Sequence, residues 1–419
     1  MPIGGLIATL IGNTLEFYDF LIYSFFSVYI GQAFFPTGDD FASLLLSVAT
    51  FGIGFLTRPL GAIWIGAYAD RVGRKRALLL TIVLMAFGTV GIVATPSYAT
   101  IGPIAPILLV LSRLVQGLAV GGEVGPVTAV LVEGAPPGKR ALFTSLSSVS
   151  QGVAILAGGG VGVTLANVLD AEDLASWGWR AAFGVGLLII PIGFYLRRSL
   201  PETLSEPTHS TASATLGAVW RGHKRELILT VLVTSCMTIS TYVAQYMTVY
   251  AQATLKMPPE AAMIAPLAMG SVFIVGAFLG GVICDRFGRR RTMIVSRIGV
   301  ILLQLPAFIY LEHERTVTAL VLSIVVVGLV AGPGAIAALT SMAEVFPQEI
   351  RSAGISIAYA LTVTIFGATT QFVVAWLNGV TDDPFAPAYY VMVTSAISIV
   401  AMLMLGETKD RANPRAHLG

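Results

Sequence analysis

Long apolar runs dominate this sequence and limit its possible folds more than any other feature. Hydrophobic residues make up 55% of its 419 residues and charged residues only 11%, and its mean hydropathy is +0.82. A helix needs about 20 mainly apolar residues to cross a bilayer, and runs of that length recur along the whole chain. Because a soluble protein could not hide so much apolar surface from water, we expect an all-α protein embedded in the lipid bilayer.

Twelve apolar runs are separated by short polar turns. The first six lie near residues 7–31, 41–69, 77–97, 103–133, 142–168 and 180–198, and the last six near 227–253, 262–284, 293–311, 316–345, 353–379 and 387–405. A polar, Ser/Thr-rich stretch with Pro201 and Pro207 lies between the two sets. The sequence therefore predicts twelve transmembrane helices in two six-helix halves, residues 1–199 and 226–419, joined by a connecting loop at 200–225.

Basic residues indicate the orientation, because cytoplasmic loops retain Lys and Arg. The turns after even-numbered runs carry almost all of them, whereas the odd-numbered turns hold only Arg180, Lys256 and Arg315. We therefore expect both termini in the cytoplasm. The net charge of +2 reflects this topology, so nucleic acid is not an expected partner.

Two motifs occur once in each half. G-x-x-x-D-R-x-G-R-[KR] contains Asp70, Arg71 and Arg74 and recurs with Asp285, Arg286 and Arg289; E-x-x-P-x-x-x-R joins Glu133 to Arg140 and recurs as Glu344 and Arg351. Repeated halves are typical of carriers whose substrate binds between them near the bilayer midplane. We interpret these ten residues as gating residues that hold the halves together or stabilise their loops, with direct substrate contact as the alternative.

Ionisable residues inside the apolar runs are few, and each is costly in lipid. They are Glu16, Asp19, Arg58, Arg113, Glu123 and Arg297. Helical spacing places Glu16, Asp19 and Tyr23 on one stripe, with Asn13 close by, which must face the bundle interior. Arg297 lies near the cytoplasmic end of its run, so we expect it to reach the cytoplasmic face as a structural residue.

The other five buried charges allow two interpretations. They could form an ion-pair network that only fixes helix packing, or they could line a cavity in which an anionic substrate and protons compete for Arg58 and Arg113. We favour the cavity, because apolar side chains could replace a static network with little loss. Gln116 follows Arg113 by three residues, and run seven adds a neutral stripe of Thr241, Tyr242 and Gln245, with Tyr359 a weaker candidate; these residues either contact substrate or pack helices.

Several functional classes lack the residues they need. The four histidines lie in polar connections or the tail, and the two cysteines have no metal-ligand spacing, so no cofactor or metal is expected. The sequence has no G-x-x-x-x-G-K-[ST] phosphate loop for an ATP-driven pump and no nucleophile–base pair for an enzyme.

The doubled D-R-x-G-R motif resembles the signature loop of the major facilitator superfamily. Five further segments resemble its metabolite:proton symporters, especially bacterial citrate and tricarballylate symporters, and they are G-N-T-L-E-F-Y-D-F at 12–20, R-P-L-G at 58–61, R-L-V-Q-G at 113–117, S-W-G-W-R at 176–180 and L-R-R-S-L-P-E-T at 196–203. The resemblance implies the twelve-helix major facilitator fold and proton-driven uptake of a di- or tricarboxylate across a bacterial inner membrane. Run seven departs from the expected pattern, which leaves the exact substrate open.

The resemblance also implies roles for buried residues. Arg58 and Arg113 match the family's buried basic positions, and Asp19 and Glu123 match its acidic ones. The hypothesis assigns substrate binding to Arg58, Arg113, Gln116, Asn13, Tyr23, Thr241, Tyr242 and Gln245, and proton coupling to Asp19, Glu123 and Glu16. A monomer is expected. The alternatives are a carrier for another metabolite such as α-ketoglutarate, or for a zwitterion such as betaine or proline, which the few aromatic residues expected near the arginines disfavour.

Overall fold

The computed structural model describes residues 3–72, 74–121, 131–132, 135–136, 138–198, 222–347 and 350–408. Within these ranges the chain is helical and contains no β-strand. Twelve helical segments follow one another. They are α1 (Ile3–Phe25, continued by Ser27–Phe34), α2 (Asp40–Leu56 and Arg58–Val72), α3 (Arg74–Ala94), α4 (Ile104–Gly121), α5 (Arg140–Val168), α6 (Trp179–Arg198), α7 (Lys224–Ala253), α8 (Ile264–Phe287), α9 (Arg289–Glu314), α10 (Val317–Val345), α11 (Arg351–Thr362 and Ala368–Thr381) and α12 (Ala386–Leu405).

Each of these twelve segments overlaps one of the twelve apolar runs, which confirms the predicted fold class. Nine helices of the described chain are long and apolar enough by themselves to cross a membrane. The other three are α1, α3 and α6, and the apolar part of α3 is the shorter stretch Leu79–Ala94. Short helices at Tyr98–Ile101, Ala171–Asp173 and Pro259–Ala262 occupy the turns. The division at 1–199, 200–225 and 226–419 stays a prediction, since residues 199–221 lie outside the described ranges.

The described chain contains two turns of π-helix. Leu174–Gly178 lies directly before α6, and Val363–Gly367 lies within α11. A π-turn inserts one extra residue into the helical repeat and often accompanies a functional site. The turn in α11 packs against the middle of the molecule, because a Cβ added to Gly367 would lie 2.9 Å from the ring of Tyr242.

The first six helices (the first half) and the last six (the second half) meet chiefly along two pairs of helices, with smaller contacts between α1 and α7 and between α5 and α10. Glycines allow α5 and α8 to approach closely: a Cβ on Gly281 would lie 2.7 Å from Leu142, and one on Gly162 would lie 3.0 Å from Met263. Between α2 and α11, the Thr364 hydroxyl donates a hydrogen bond to the Phe55 carbonyl at 3.1 Å. The halves therefore touch from one end of α5 to the other.

Candidate functional site

A cavity of about 170 Å³ lies among α7, α8, α9 and α10 and reaches α1 and α5. Its wall is largely apolar, with polar side chains at defined positions. These are Asn13, Ser147, Ser148, Gln151, Thr238, Ser240, Thr241, Tyr242, Gln245, Arg297, Gln304, Ser323 and Tyr359. Four predicted substrate residues, Asn13, Thr241, Tyr242 and Gln245, thus share one cavity. Their contact with a substrate stays a prediction.

Arg113 lies outside this cavity wall, deep in the first half. Its side chain is fully buried, and its guanidinium lies over the rings of Phe20 at 4.7 Å and Tyr23 at 4.6 Å. Nη1 donates a hydrogen bond to Gln116 Oε1 at 2.7 Å, and Nη2 makes a longer one of 3.4 Å to the Phe51 carbonyl. No carboxylate of the described chain forms an ion pair with it.

Gln116 continues a chain of hydrogen bonds from Arg113 to a buried acid. Its Nε2 donates to the Thr89 hydroxyl at 3.0 Å, and that hydroxyl donates to Asp19 Oδ2 at 3.0 Å. Asp19 is 2% exposed, and its Oδ1 has no hydrogen-bond partner among the described residues. A Cβ on Gly186 would collide with Oδ1, so this glycine provides the space for the carboxyl group. The arrangement links a fixed cation to a carboxyl group with one oxygen left for a proton.

Arg58 is 2% exposed and is packed between aromatic rings. Its guanidinium carbon lies 4.1 Å from the centre of the Phe55 ring and 4.5 Å from that of Phe20. It adjoins the hydroxyl groups of Tyr242 and Tyr359, yet none of its three nitrogens makes a hydrogen bond of good geometry to a described residue. Because both tyrosines line the cavity, Arg58 lies directly behind the cavity wall.

An aromatic cluster therefore covers both arginines, and the expectation of few aromatic residues near them is wrong. Phe20 contacts Phe51 and Phe55 with ring centres 4.9 Å apart in each case, and Phe55 meets Tyr242 edge-on at 5.3 Å. The sequence of an apolar run does not indicate which residues its phenylalanine rings will contact. Here their electron-rich faces are occupied by the protein's own guanidinium groups.

Arg297 points into the molecule, so the expectation that it reaches the cytoplasmic face is wrong. It is 1% exposed and lines the cavity. Its Nη1 donates to Ser240 Oγ at 2.8 Å and, at 3.4 Å, to the Cys236 carbonyl. Depth along the run was readable from the sequence, but the rotation of α9, which decides whether the side chain faces lipid or α7, was not.

The remaining predicted residues of α1 are buried, as the polar stripe requires, but they face different helices. The Asn13 amide donates to the Ser147 carbonyl at 3.3 Å and to Ser150 Oγ on α5. The Tyr23 hydroxyl donates to the Ser47 carbonyl on α2 at 3.3 Å. Glu16 is 5% exposed. Tyr23 lies away from the cavity wall, and its described contacts are with its neighbours on α2 and with Arg113.

Four of the predicted gating residues meet at the end of the bundle next to Asp285, called here the motif end. Arg289 Nη2 and Nε bind Glu344 at 2.7 and 2.9 Å, and Arg140 Nη1 lies 4.0 Å from the same carboxylate. Asp285 accepts hydrogen bonds of 3.0 Å from the backbone N–H groups of Ala141 and Leu142, the first turn of α5. Since α5 belongs to the first half, this cluster joins the two halves.

Two further predicted gating residues, Arg286 and Arg351, lie in the described part of the chain. Arg286 is exposed and Arg351 is buried. Glu123 and Glu133, and the side chains of Asp70, Arg71 and Arg74, lie outside the described part of the chain. Sequence reasoning missed Thr89, because one threonine in an apolar run carries no charge to draw attention.

Comparison with known proteins gives matches that cover most of this chain. The sequence model of the Major Facilitator Superfamily matches residues 9–367 and 268–418. The citrate-proton symporter of Klebsiella pneumoniae is 34% identical, with 96% of this chain and 91% of the relative covered. The alpha-ketoglutarate permease of Escherichia coli is 32% identical (94% and 91% covered), and the proline/betaine transporter of Salmonella typhimurium is 30% identical (96% and 83% covered).

The fold also matches a solved structure. The xylose transporter XylE from E. coli, in a partially occluded inward-open conformation, superimposes with a TM-score of 0.74 at 17% sequence identity. The alignment covers 96% of this chain and 97% of that protein.

Proposed function

This chain belongs to the metabolite:proton symporters of the Major Facilitator Superfamily, and on that premise we propose that it carries a small di- or tricarboxylate together with protons by alternating access. The observation that carries the proposal is the hydrogen-bond chain from Arg113 through Gln116 and Thr89 to Asp19. It connects a buried cation, which attracts an anion, with a buried carboxyl group that can gain and lose a proton.

The substrate assignment rests on the charges around the cavity. Arg58 and Arg113 are buried and have no ion-pair partner among the described residues. A buried charge without a counter-ion costs several kcal/mol, so a bound carboxylate stabilises it. Tyr242 and Tyr359 separate Arg58 from the cavity, and their movement would bring a substrate carboxylate against its guanidinium nitrogens, none of which makes a hydrogen bond of good geometry to a described residue.

Proton coupling follows from charge balance. An empty carrier with ionised Asp19 keeps one negative charge that is connected to Arg113 through Thr89 and Gln116, and a proton on Oδ1 removes it as the substrate carboxylates arrive. The loaded cavity can then close and cross to the other state with fewer unpaired charges in a low-dielectric interior. Loss of the proton on the cytoplasmic side restores the carboxylate and favours substrate release. Glu16 and Glu123 remain alternative proton carriers.

The cluster at the motif end supports a gating role. Arg140 and the first turn of α5 come from the first half, and Asp285, Arg289 and Glu344 come from the second. Opening this end requires those contacts to break, so we assign the cluster to the closed gate on the cytoplasmic side, with both termini on the same side.

The second candidate is transport of a zwitterion, which the similarity to a proline/betaine transporter favours. Aromatic faces bind quaternary ammonium groups, but here Phe20, Phe55 and Tyr23 already lie against arginines. A second positive charge from betaine would compete with those guanidinium groups. The aromatic cluster therefore favours the carboxylate.

Uptake of radiolabelled citrate into vesicles containing the purified protein, driven by an imposed inward proton gradient, tests the proposal. Tricarballylate and α-ketoglutarate are expected to compete, betaine is not, and collapse of the gradient with a protonophore should stop accumulation. Empty vesicles are the control. Competition by betaine alone, or uptake that ignores the gradient, would overturn the carboxylate–proton assignment.

A further inference from the structure

Arg297 is a buried cation that the transport chemistry above does not use. It lies on α9, lines the cavity and is 1% exposed. Among the described ion pairs none involves it, and its hydrogen bonds run from Nη1 alone, to Ser240 Oγ and the Cys236 carbonyl. Its planar fork can donate several more.

A buried arginine whose charge is balanced within the fold looks different in this molecule. Arg289, also on α9 and 2% exposed, binds Glu344 through two nitrogens and so has its charge balanced within the fold. Within the described part of the chain, the hydrogen-bond partners of Arg297 are neutral oxygens. Because removing a cation from water is costly unless an anion compensates, Arg297 lacks the partner that its burial calls for.

The internal repeat shows that the fold does not need an arginine at this position. Arg297 follows Asp285 by twelve residues, and the residue twelve after the matching Asp70 is Ile82, which is buried. The reverse holds for α2 and α8: Arg58 precedes Asp70 by twelve residues, and its counterpart before Asp285 is Phe273, on the cavity wall. Each half thus has its own arginine at a position where the other half has an apolar residue.

We propose that Arg297, held by Ser240, is a second carboxylate-binding subsite that receives the distal carboxylate of a substrate with two or more of them. This rests on the proposed function and makes it more specific. One carboxylate would bind on the first-half side, at Arg58 behind Tyr242 and Tyr359, and another at Arg297 in the second half. A substrate that touches both halves would favour their closure around it, and a monocarboxylate would not.

Three ligands with one carbon backbone test this subsite. Tricarballylate, glutarate and butyrate are propane with three, two and one carboxylates. Dissociation constants are measured by competition with labelled citrate on the purified full-length protein, for wild type, R297Q, R297K and the matched control R291Q, which removes an exposed arginine from the same helix.

R297Q is expected to weaken glutarate and tricarballylate about tenfold or more, the loss of one charge-assisted contact, while butyrate changes by less than about twofold. R291Q should match wild type for all three ligands. Equal losses for all three in folded R297Q indicate a packing role and overturn the subsite, as does the absence of any loss.

If the R297Q protein cannot be produced in folded form, the dissociation constants of the three ligands are compared for R297K instead. It keeps the charge but not the planar fork, so a loss of about threefold confined to glutarate and tricarballylate supports the subsite. A uniform loss or none overturns it. Wild-type protein that binds butyrate as tightly as glutarate would instead refute the dicarboxylate assignment, whatever Arg297 does.

Discussion

The two halves bury their arginines in different surroundings. In the first half, Arg58 and Arg113 are packed among aromatic rings, and Arg113 is connected to Asp19 through Gln116 and Thr89. In the second half, Arg297 lies among hydroxyl and carbonyl oxygens on the cavity wall, and no acid of the described chain pairs with it. Among the described residues, Arg113 is linked through hydrogen bonds to a carboxyl group and Arg297 is not.

This difference suggests a division of labour between related halves. The first half combines a cation with an acid, so its affinity for an anion can change when a proton arrives. The second half offers a fixed positive charge. This charge can select substrates by their number of carboxylates, but it does not change when a proton binds. The following predictions test that division.

The largest effect is expected from Asp19→Asn. An amide cannot exchange a proton, so accumulation against a gradient should be lost, while exchange of internal for external citrate should persist. Both are measured in the same vesicles, with Asp173→Asn, an exposed carboxylate, as the control. Normal accumulation by Asp19→Asn would move proton coupling to another acid and break the proposed division.

The next effect is expected from Arg113→Gln. Loss of this charge should weaken tricarballylate, glutarate and butyrate alike, by about 10- to 100-fold, because the buried positive charge attracts the carboxylate that each ligand places at Arg58, an interaction of about 1.5–3 kcal/mol. The measurement is the same competition assay, with Arg291→Gln as the matched control. Arg113→Gln that spares butyrate, as Arg297→Gln should, would make the two halves equivalent.

The smallest effect is expected from Thr89→Val, which keeps the side-chain shape but removes the hydroxyl between Gln116 and Asp19. Net uptake driven by a proton gradient should fall about five- to thirtyfold, the loss of two buried hydrogen bonds of about 0.5–1 kcal/mol each, and exchange should stay within about twofold. Thr89→Ser should restore uptake. Parallel loss of uptake and exchange, without rescue by serine, would reduce Thr89 to a packing residue.

Charged residues were the part of this site that the sequence could predict. A charge in an apolar run stands out because lipid penalises it, and that alone indicated that Arg58, Arg113 and Asp19 are buried. The repeated motifs likewise indicated Asp285, Arg289 and Glu344, and the twelve runs predicted the fold. Lipid also explains why run lengths are so informative, since helices must satisfy their own backbone hydrogen bonds there.

Residues whose role depends on helix rotation could not be predicted in the same way. Thr89 is one of several threonines in apolar runs, and only the packing of α3 against α1 and α4 places it between Asp19 and Gln116. Phe20, Phe51 and Phe55 cover the arginines because α1 and α2 converge, which no local pattern records. The position of the Arg297 side chain depends on the rotation of α9 about its axis, which the sequence does not reveal.

The contact of Asp285 with the first turn of α5 has a consequence for how the motif end opens. Its carboxylate satisfies two peptide N–H groups of the opposite half, and separation would leave those N–H groups needing hydration. We therefore expect water to enter as the halves part, and in the proposed mechanism the same water would solvate the departing anion. Entry of water and release of the substrate would then occur together. Without entry of water, the motif end would stay closed.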